Sequence, residues 1–178
     1  MGVDLGIKCP AVVAMSNGTK RFYGNGRQNK FIRRRYAKKR KNLGKAKKLN
    51  AIRNLKNKEQ RWMRDQDHKI SRAIVNDAIA HNVGTIKLEA LSGVRSATRK
   101  SRKNNRSLHS WSFYRLAQFI EYKAKLAGID VVYVNPAYTS QTCPVCGKRN
   151  HAQDRQYVCS CGFHAHRDCV GAVNILAA

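Results

Sequence analysis

Three acidic residues stand out in a chain dominated by lysine and arginine: Asp4 in GVDLGI, Glu89 in TIKLEAL and Asp168 in HAHRDCVGAVNI. The 178 residues carry 36 Lys+Arg against 10 Asp+Glu, a formal net charge of +26. Carboxylates on apolar strands of so basic a protein need a reason, and a divalent cation that promotes phosphodiester cleavage is one. Hard ions such as Mg²⁺ prefer oxygen ligands and retain waters. Two of them about 3.5–4 Å apart can activate water and stabilise the leaving oxygen of a phosphate diester. Three unmetallated carboxylates repel one another, so the metal-free cluster should be loose or partly protonated. Each residue alone has a plainer reading. Asp4 could form a strand-end turn, Glu89 could cap a helix or sit on the surface, and Asp168 could be the N-cap of the last helix. Their joint placement at one predicted sheet edge favours the metal cluster. His166 and Arg167 flank Asp168 as candidate phosphate contacts, with a surface role the alternative for His166. Asn174, less than two helical turns further on, fits a packing, surface or site role equally.

Six cysteines form a second constellation, four of them in two tight pairs, Cys143-Pro-Val-Cys146-Gly and Cys159-Ser-Cys161-Gly. A thiolate pair in a tight turn with a following glycine lets backbone N–H groups approach the sulfurs. Four thiolates suit tetrahedral Zn²⁺ at about 2.3 Å per bond, with no open position for chemistry. The second pair is C-x-C, one residue shorter than the usual C-x-x-C, so His164 or His166 is the alternative fourth ligand. Paired spacing in a basic intracellular protein points to metal rather than to disulfides. Cys9 and Cys169 have no such spacing and read as small core residues.

A hydrophobic fraction of 42% is ordinary for a folded protein and argues against wholesale disorder. The positive charge points to nucleic acid ahead of membrane surfaces or acidic proteins. No apolar run approaches the length of a membrane span and no charged-then-apolar leader opens the chain, which reads as soluble and cytoplasmic. Charge is densest over residues 27–61, where Arg33, Arg34, Arg35, Lys38, Lys39, Arg40 and Lys41 can track phosphates without reading bases. Residues 92–110 form a second basic stretch with Arg102 and Lys103, read as a mobile loop able to close over a strand held at the metals. Arg167 completes the set of candidate nucleic-acid contacts. Tyr36, Trp62, Trp111 and Tyr114 could stack on bases, with core packing the safer assignment for each.

The elements that must position these residues follow from periodicity and turn chemistry. Residues 3–8, 11–15 and 19–23 read as strands, the last two joined by an Asn17-Gly18 hairpin turn. Residues 29–80 read as helical, with Ile70, Ala73, Ile74 and Ala78 on one face. Residues 83–88 read as a strand. Residues 111–127 read as a helix with Leu116, Phe119, Ile120, Ala124 and Ala127 on one face and Gly128 as its stop. Residues 129–134 read as a buried strand and 167–178 as a terminal helix packing through Ala172, Val173, Leu176 and Ala177. This order predicts an α/β fold with a mixed five-stranded sheet and flanking helices, of the ribonuclease-H-like type. The core would comprise residues 1–138, with a basic helical region at 27–82, and helix 166–178 would complete it after an inserted zinc ribbon at 139–165. Active sites of such sheets lie at the carboxyl ends of strands, where Asp4 and Glu89 would face each other beside Asp168.

GVDLGI, TIKLEALSG, VNPAYTSQTCPVCG, CSCGFHAHRDCVGAVNILAA and the basic helices between the first two make the chain similar to the C-terminal half of TnpB proteins. These proteins, also called OrfB, belong to IS200/IS605-type transposons and are relatives of the type V CRISPR effector nucleases. The resemblance spans essentially the whole chain. It implies a RuvC-like nuclease domain interrupted by a zinc ribbon, with Mg²⁺ (or Mn²⁺) at catalytic Asp4, Glu89 and Asp168, and Zn²⁺ at Cys143, Cys146, Cys159 and Cys161. It also implies RNA-guided cleavage of DNA in association with a transposable element, with DNA and, in the full-length system, a guide RNA as partners. Family members carry a substantial region before the first catalytic strand, whereas Met1 stands three residues before Asp4. The expectation is therefore a chain whose N-terminal region is missing: a truncated copy, an internal-start product or one piece of a split system. Two other readings stand beside the endonuclease: a non-catalytic nucleic-acid-binding remnant or accessory fragment, and a transposase that transfers strands with the same metals.

Overall fold

Short β-branched and apolar runs build the sheet, and the residues between them specify how it turns. The computed structural model describes residues 1–91, 113–152 and 154–178. Strands β1 (Gly2–Asp4), β2 (Ala11–Ala14) and β3 (Lys20–Tyr23) form an antiparallel meander. Gly18 takes φ +84° in the β2–β3 turn, and the Asn17 side chain accepts from the Thr19 N–H at 3.0 Å. Helices α1 (Gly26–Lys45), α2 (Leu49–Asn54) and α3 (Lys58–Ala80) follow. Then come β4 (Thr85–Glu89), α4 (Phe113–Leu126), β5 (Asp130–Val134), the small hairpin β6 (Gln156–Val158) and β7 (His164–His166), and α5 (Arg167–Ala177).

The main sheet is mixed and five-stranded, in the order β3-β2-β1-β4-β5, with β1 central and parallel to β4, and β4 parallel to β5. Because side chains alternate across a sheet, one register assigns every residue a face. Val3, Val13, Ile86 and Leu88 join the larger core, beneath Ile70, Ile74 and Ala78 of α3 and Leu116, Ile120 and Ala124 of α4. The opposite face carries Val12 and Ala14 against Cys169 and Ala172 of α5.

Both layers are tied by more than apolar contact. The buried Lys123 ammonium donates from α4 to the His68 carbonyl (2.8 Å) and the Ser71 hydroxyl (2.6 Å) of α3. Arg115 pairs with buried Asp67 at 2.6 Å. On the other face α5 lies directly on β1. A Cβ added at Gly2 would stand 2.3 Å from the Ala172 carbonyl oxygen and 2.5 Å from the Leu176 nitrogen. The Lys87 ammonium, on the same face of β4, donates to the Leu176 carbonyl at 3.0 Å.

Several expectations change in detail. The first strand ends at Asp4 rather than at residue 8, because the chain bends back and the Gly6 N–H reaches the Pro10 carbonyl. The basic helical region breaks into three helices, with Lys47 (φ 53°) and Lys56 (φ 43°) in the left-handed region at the breaks. Only Gly26 is buried in α1, whose N-cap is Asn25, so this helix is a largely solvated basic arm. Strand β5, expected to be buried, is the sheet edge: among the described residues no strand lies beyond it, and Val132 and Tyr133 are 46% and 44% exposed. Ala127 and Ala177 are exposed instead of packed. Residues 92–110 and Trp111 lie outside the described residues. No described helix is long and apolar enough to cross a membrane.

The α5–β1 contact gives a direct stability test. Gly2→Ala should lower the unfolding free energy by about 1–3 kcal/mol, the usual cost of overpacking. Gly84→Ala, with open space around its Cβ position, should stay within about 0.5 kcal/mol. Urea denaturation measures both.

Candidate metal centres

The sheet register brings two of the three carboxylates to one level. Gly2 pairs with Lys87 and Val3 with Leu88, so Asp4 stands level with Glu89 at the carboxyl ends of two adjacent parallel strands. Both lie on the α5 face, two residues on from Gly2 and Lys87. Asp168 comes from the first turn of α5. It is not the N-cap: that is His166, whose ring nitrogen accepts from the Asp168 N–H at 3.3 Å. Gly171, one turn later, is the point of closest approach, since a Cβ there would lie 2.9 Å from Asp4 Oδ2. Helical spacing thus sets Asp168 over the end of β1.

The electrostatics record this convergence. The Asp4 carboxyl is pushed up to about 8, first by burial, then by the charges of Glu89 and Asp168, with Arg155 and Arg167 opposing. Among the described residues no hydrogen-bond donor reaches it. Burial also raises Glu89, and the Thr139 hydroxyl, which donates to Glu89 Oε1, opposes that rise. Asp168 is matched by Arg155, which donates to its two oxygens at 2.6 and 2.7 Å. The donor set is all oxygen, negative and short of internal compensation at Asp4, which suits Mg²⁺ or Mn²⁺.

The cysteine cluster is tighter. Among the described residues, the Sγ atoms of Cys143, Cys146, Cys159 and Cys161 form the group of metal-ligating side chains drawn together, all within 4.8 Å of one another. Cys143–Cys161 and Cys146–Cys159 are 3.7 and 3.5 Å apart. A tetrahedron with bonds of about 2.3 Å has edges of about 3.8 Å, so the four sulfurs could hold a metal such as zinc with little rearrangement. Gly147 (φ +70°) and Gly162 (φ +87°) make the turns that follow each pair. Cys159 is pulled down to about 6, chiefly by the backbone N–H of Cys161, and the Asn150 amide adds a 3.0 Å hydrogen bond to its sulfur. The shortened C-x-C pair therefore still closes the set. His164 and His166 are exposed on β7 outside it, and His166 packs edge-on against Phe22. Buried Tyr157 and Val170 support Cys143 and Cys159 from beneath. All six cysteines are free thiols; Cys169 is buried, and Cys9 is half-buried with its thiol donating to the Ala11 carbonyl.

Of the expected nucleic-acid contacts, Arg34, Arg35, Lys38, Lys39 and Lys41 are exposed on α1. Arg33 and Arg40 are partly engaged by Glu59 of α3, at 3.8 and 2.7 Å. Arg167 donates to the Ser140 hydroxyl at 3.2 Å. Arg102 and Lys103 lie outside the described residues. Sequence reasoning missed Thr139 and Arg155: one is a hydroxyl in a loop, the other one basic residue among 36, and neither type carries a signature.

Two outcomes test these sites. In chelator, Asp4 binds a proton on folding between roughly pH 4 and 8, so stability should fall as pH rises through that window. Asp4→Asn should remove this fall and be the more stable protein above pH 8; urea titrations at several pH values read the difference. Cys143→Ser should lose about one zinc per chain by elemental analysis, whereas Cys169→Ser should keep it.

Comparison with known proteins agrees with the two halves of this arrangement. The family model described as probable transposase, OrfB of IS605, matches residues 1–95, and the Cas12f1-like TNB domain matches residues 113–175. A TnpB-like protein of Methanocaldococcus jannaschii is 42% identical over 121 residues, covering 66% of this chain and 43% of that protein. The CRISPR-associated endodeoxyribonuclease Cas12f1 of Sulfoacidibacillus thermotolerans is 31% identical, covering 98% of this chain and 44% of that protein. The cryo-EM structure of a Cas12f1-sgRNA-target DNA complex matches with a TM-score of 0.80 at 26% identity, over 98% of this chain and 48% of that chain. The chain thus spans less than half the length of these relatives. With the transposase match alone covering more than half of its 178 residues, the chain belongs to the OrfB family of IS605-type transposon proteins, the TnpB-like proteins to which Cas12f1 nucleases are similar.

Proposed function

We propose that this chain is a metal-dependent DNA endonuclease domain of the TnpB type, transposon-associated and RNA-guided in the full-length system. The observation that carries the reading is the register that sets Asp4 and Glu89 level at the carboxyl ends of β1 and β4, with α5, which bears Asp168, packed against Asp4 at Gly171. In this reading the sheet and its helices are a ribonuclease-H-like (RuvC-type) core over residues 1–138 and 166–178. The cysteine segment 139–165 is a zinc ribbon inserted in it.

The three carboxylates would hold Mg²⁺ or Mn²⁺, which supplies water activation and stabilisation of the leaving oxygen in a two-metal mechanism. Asp4 prepares for this by giving up its proton and Asp168 by releasing Arg155. The freed guanidinium can then meet phosphate oxygens, to which its planar fork is suited. Arg167 keeps positive charge beside the cluster. The exposed lysines and arginines of α1 bind the nucleic-acid backbone without selecting sequence. DNA is the substrate and the guide RNA the partner that selects it, by analogy with the relatives whose complexes contain both. Zn²⁺ at the cysteines is structural, since four thiolates leave no open position.

The chain is tested with single- and double-stranded DNA in Mg²⁺ or Mn²⁺, with and without cognate RNA. Asp4→Ala or Glu89→Ala should abolish cleavage while DNA binding by gel shift persists. Binding with no cleavage under any supplementation would overturn the enzyme reading in favour of a nucleic-acid-binding fragment. Joined DNA ends would favour strand transfer.

A further inference from the structure

Glu89 is 8% exposed, so its carboxylate has lost most of its water. Among the described residues the Thr139 hydroxyl is what replaces that water, donating to Oε1. A hydroxyl has one proton, and the Pro136 carbonyl competes for it only at 3.2 Å.

The placement of Thr139 is itself over-determined. The Asn174 amide of α5 donates to the Thr139 carbonyl (2.6 Å) and to the Thr142 carbonyl (2.7 Å), so both its hydrogens clamp the ends of one four-residue segment. Between these ends Arg167 holds Ser140, and the hydroxyl of buried Tyr157 donates to the Gln141 carbonyl at 2.9 Å. Just before it, Tyr138 sits at φ 64° with the Arg149 guanidinium 3.6 Å from its ring centroid. Just after it comes Cys143. A segment gripped from α5 and from the cysteine hairpin therefore presents one hydroxyl to one carboxylate. Outer-shell donors of this kind orient metal-binding carboxylates and set their affinity.

We propose that Thr139 is a positioning residue for Glu89 and that Asn174 fixes Thr139 in that position. This rests on the reading that Asp4, Glu89 and Asp168 bind the divalent cation. Thr139 touches neither metal nor substrate; it aims one Glu89 oxygen and leaves the other for the ion. Asn174 acts one step further back, through the backbone it ties.

Mn²⁺ titration of the 178-residue chain, followed by the electron paramagnetic resonance signal of free Mn²⁺, tests this without an activity assay. Thr139→Val should weaken Mn²⁺ binding by about 10–100-fold, Thr139→Ser should restore wild-type affinity, and Asn174→Ala should weaken binding in the same direction. Zinc content and circular dichroism should match wild type in each. Should Thr139→Val fail to fold, Thr139→Ala removes the hydroxyl with less bulk and gives the same readout. Wild-type affinity in Thr139→Val, or no recovery in Thr139→Ser, overturns the inference. Asp4→Ala separates the two levels. If it loses Mn²⁺ while Thr139→Val keeps it, only the role of Thr139 falls. If wild type and Asp4→Ala bind Mn²⁺ alike, the carboxylate reading falls and this inference with it.

Discussion

The last helix rests on the first strand through two glycines. Gly2 lets the backbone of α5 reach β1, and Gly171 lets the same helix reach Asp4. Everything at the candidate active site inherits its position from this contact. It sets the height of α5 over the sheet, and therefore where Asp168 stands relative to Asp4 and Glu89. It also places Asn174, one turn beyond Gly171, within reach of the segment that supports Glu89. A larger residue at either glycine would lift the helix, moving Asp168 away from β1 and opening the core that Cys169 and Ala172 form with Val12 and Ala14.

That closeness is electrostatically unfavourable in the metal-free chain, and the molecule manages the cost differently at each carboxylate. At Asp4 burial and the neighbouring charges favour the protonated carboxyl, Glu89 takes a neutral hydroxyl, and Asp168 takes a guanidinium. Proton, hydroxyl and guanidinium are all exchangeable, unlike a core of buried ion pairs, which would resist metal. The net charge of +26 helps little here, because most of it sits on exposed side chains screened by solvent. The two cations that act on Asp4 are Arg155 and Arg167, both in or beside the cysteine hairpin. The carboxylates and the cysteine hairpin are thus neighbours in energy as well as in sequence.

Much of this was legible before any coordinates. The strand meander, the Asn17-Gly18 turn, the α/β order and the cysteine pairs carry strong local signals, because turn geometry and thiolate ligation each admit few residue types. Asp4 and Glu89 stood out because an acid on an apolar strand is costly, and the structure sets them level on adjacent strands. What escaped notice depends on long-range geometry. The edge position of β5 cannot be read from Val-Val-Tyr-Val, since an apolar run looks the same with a neighbour on one side or two. The breaks at Lys47 and Lys56 fall on lysines, and Gly44, Asn54 and Asn57 beside them are too common in helices to mark a break by themselves. Thr139 and Arg155 matter only through atoms 50 and 13 positions away, respectively.

One consequence concerns the order of synthesis. Asp4 is separated from its α5 neighbours by nearly all of the sequence between β1 and the last helix. Contacts of such long range form late, after the entropy of closing the loop has been met. Until α5 has been translated, one face of β1 and β2 has no cover, and the three acids belong to no common site. The sheet face that carries Asp4 and Glu89 is therefore closed only in the late event that docks α5.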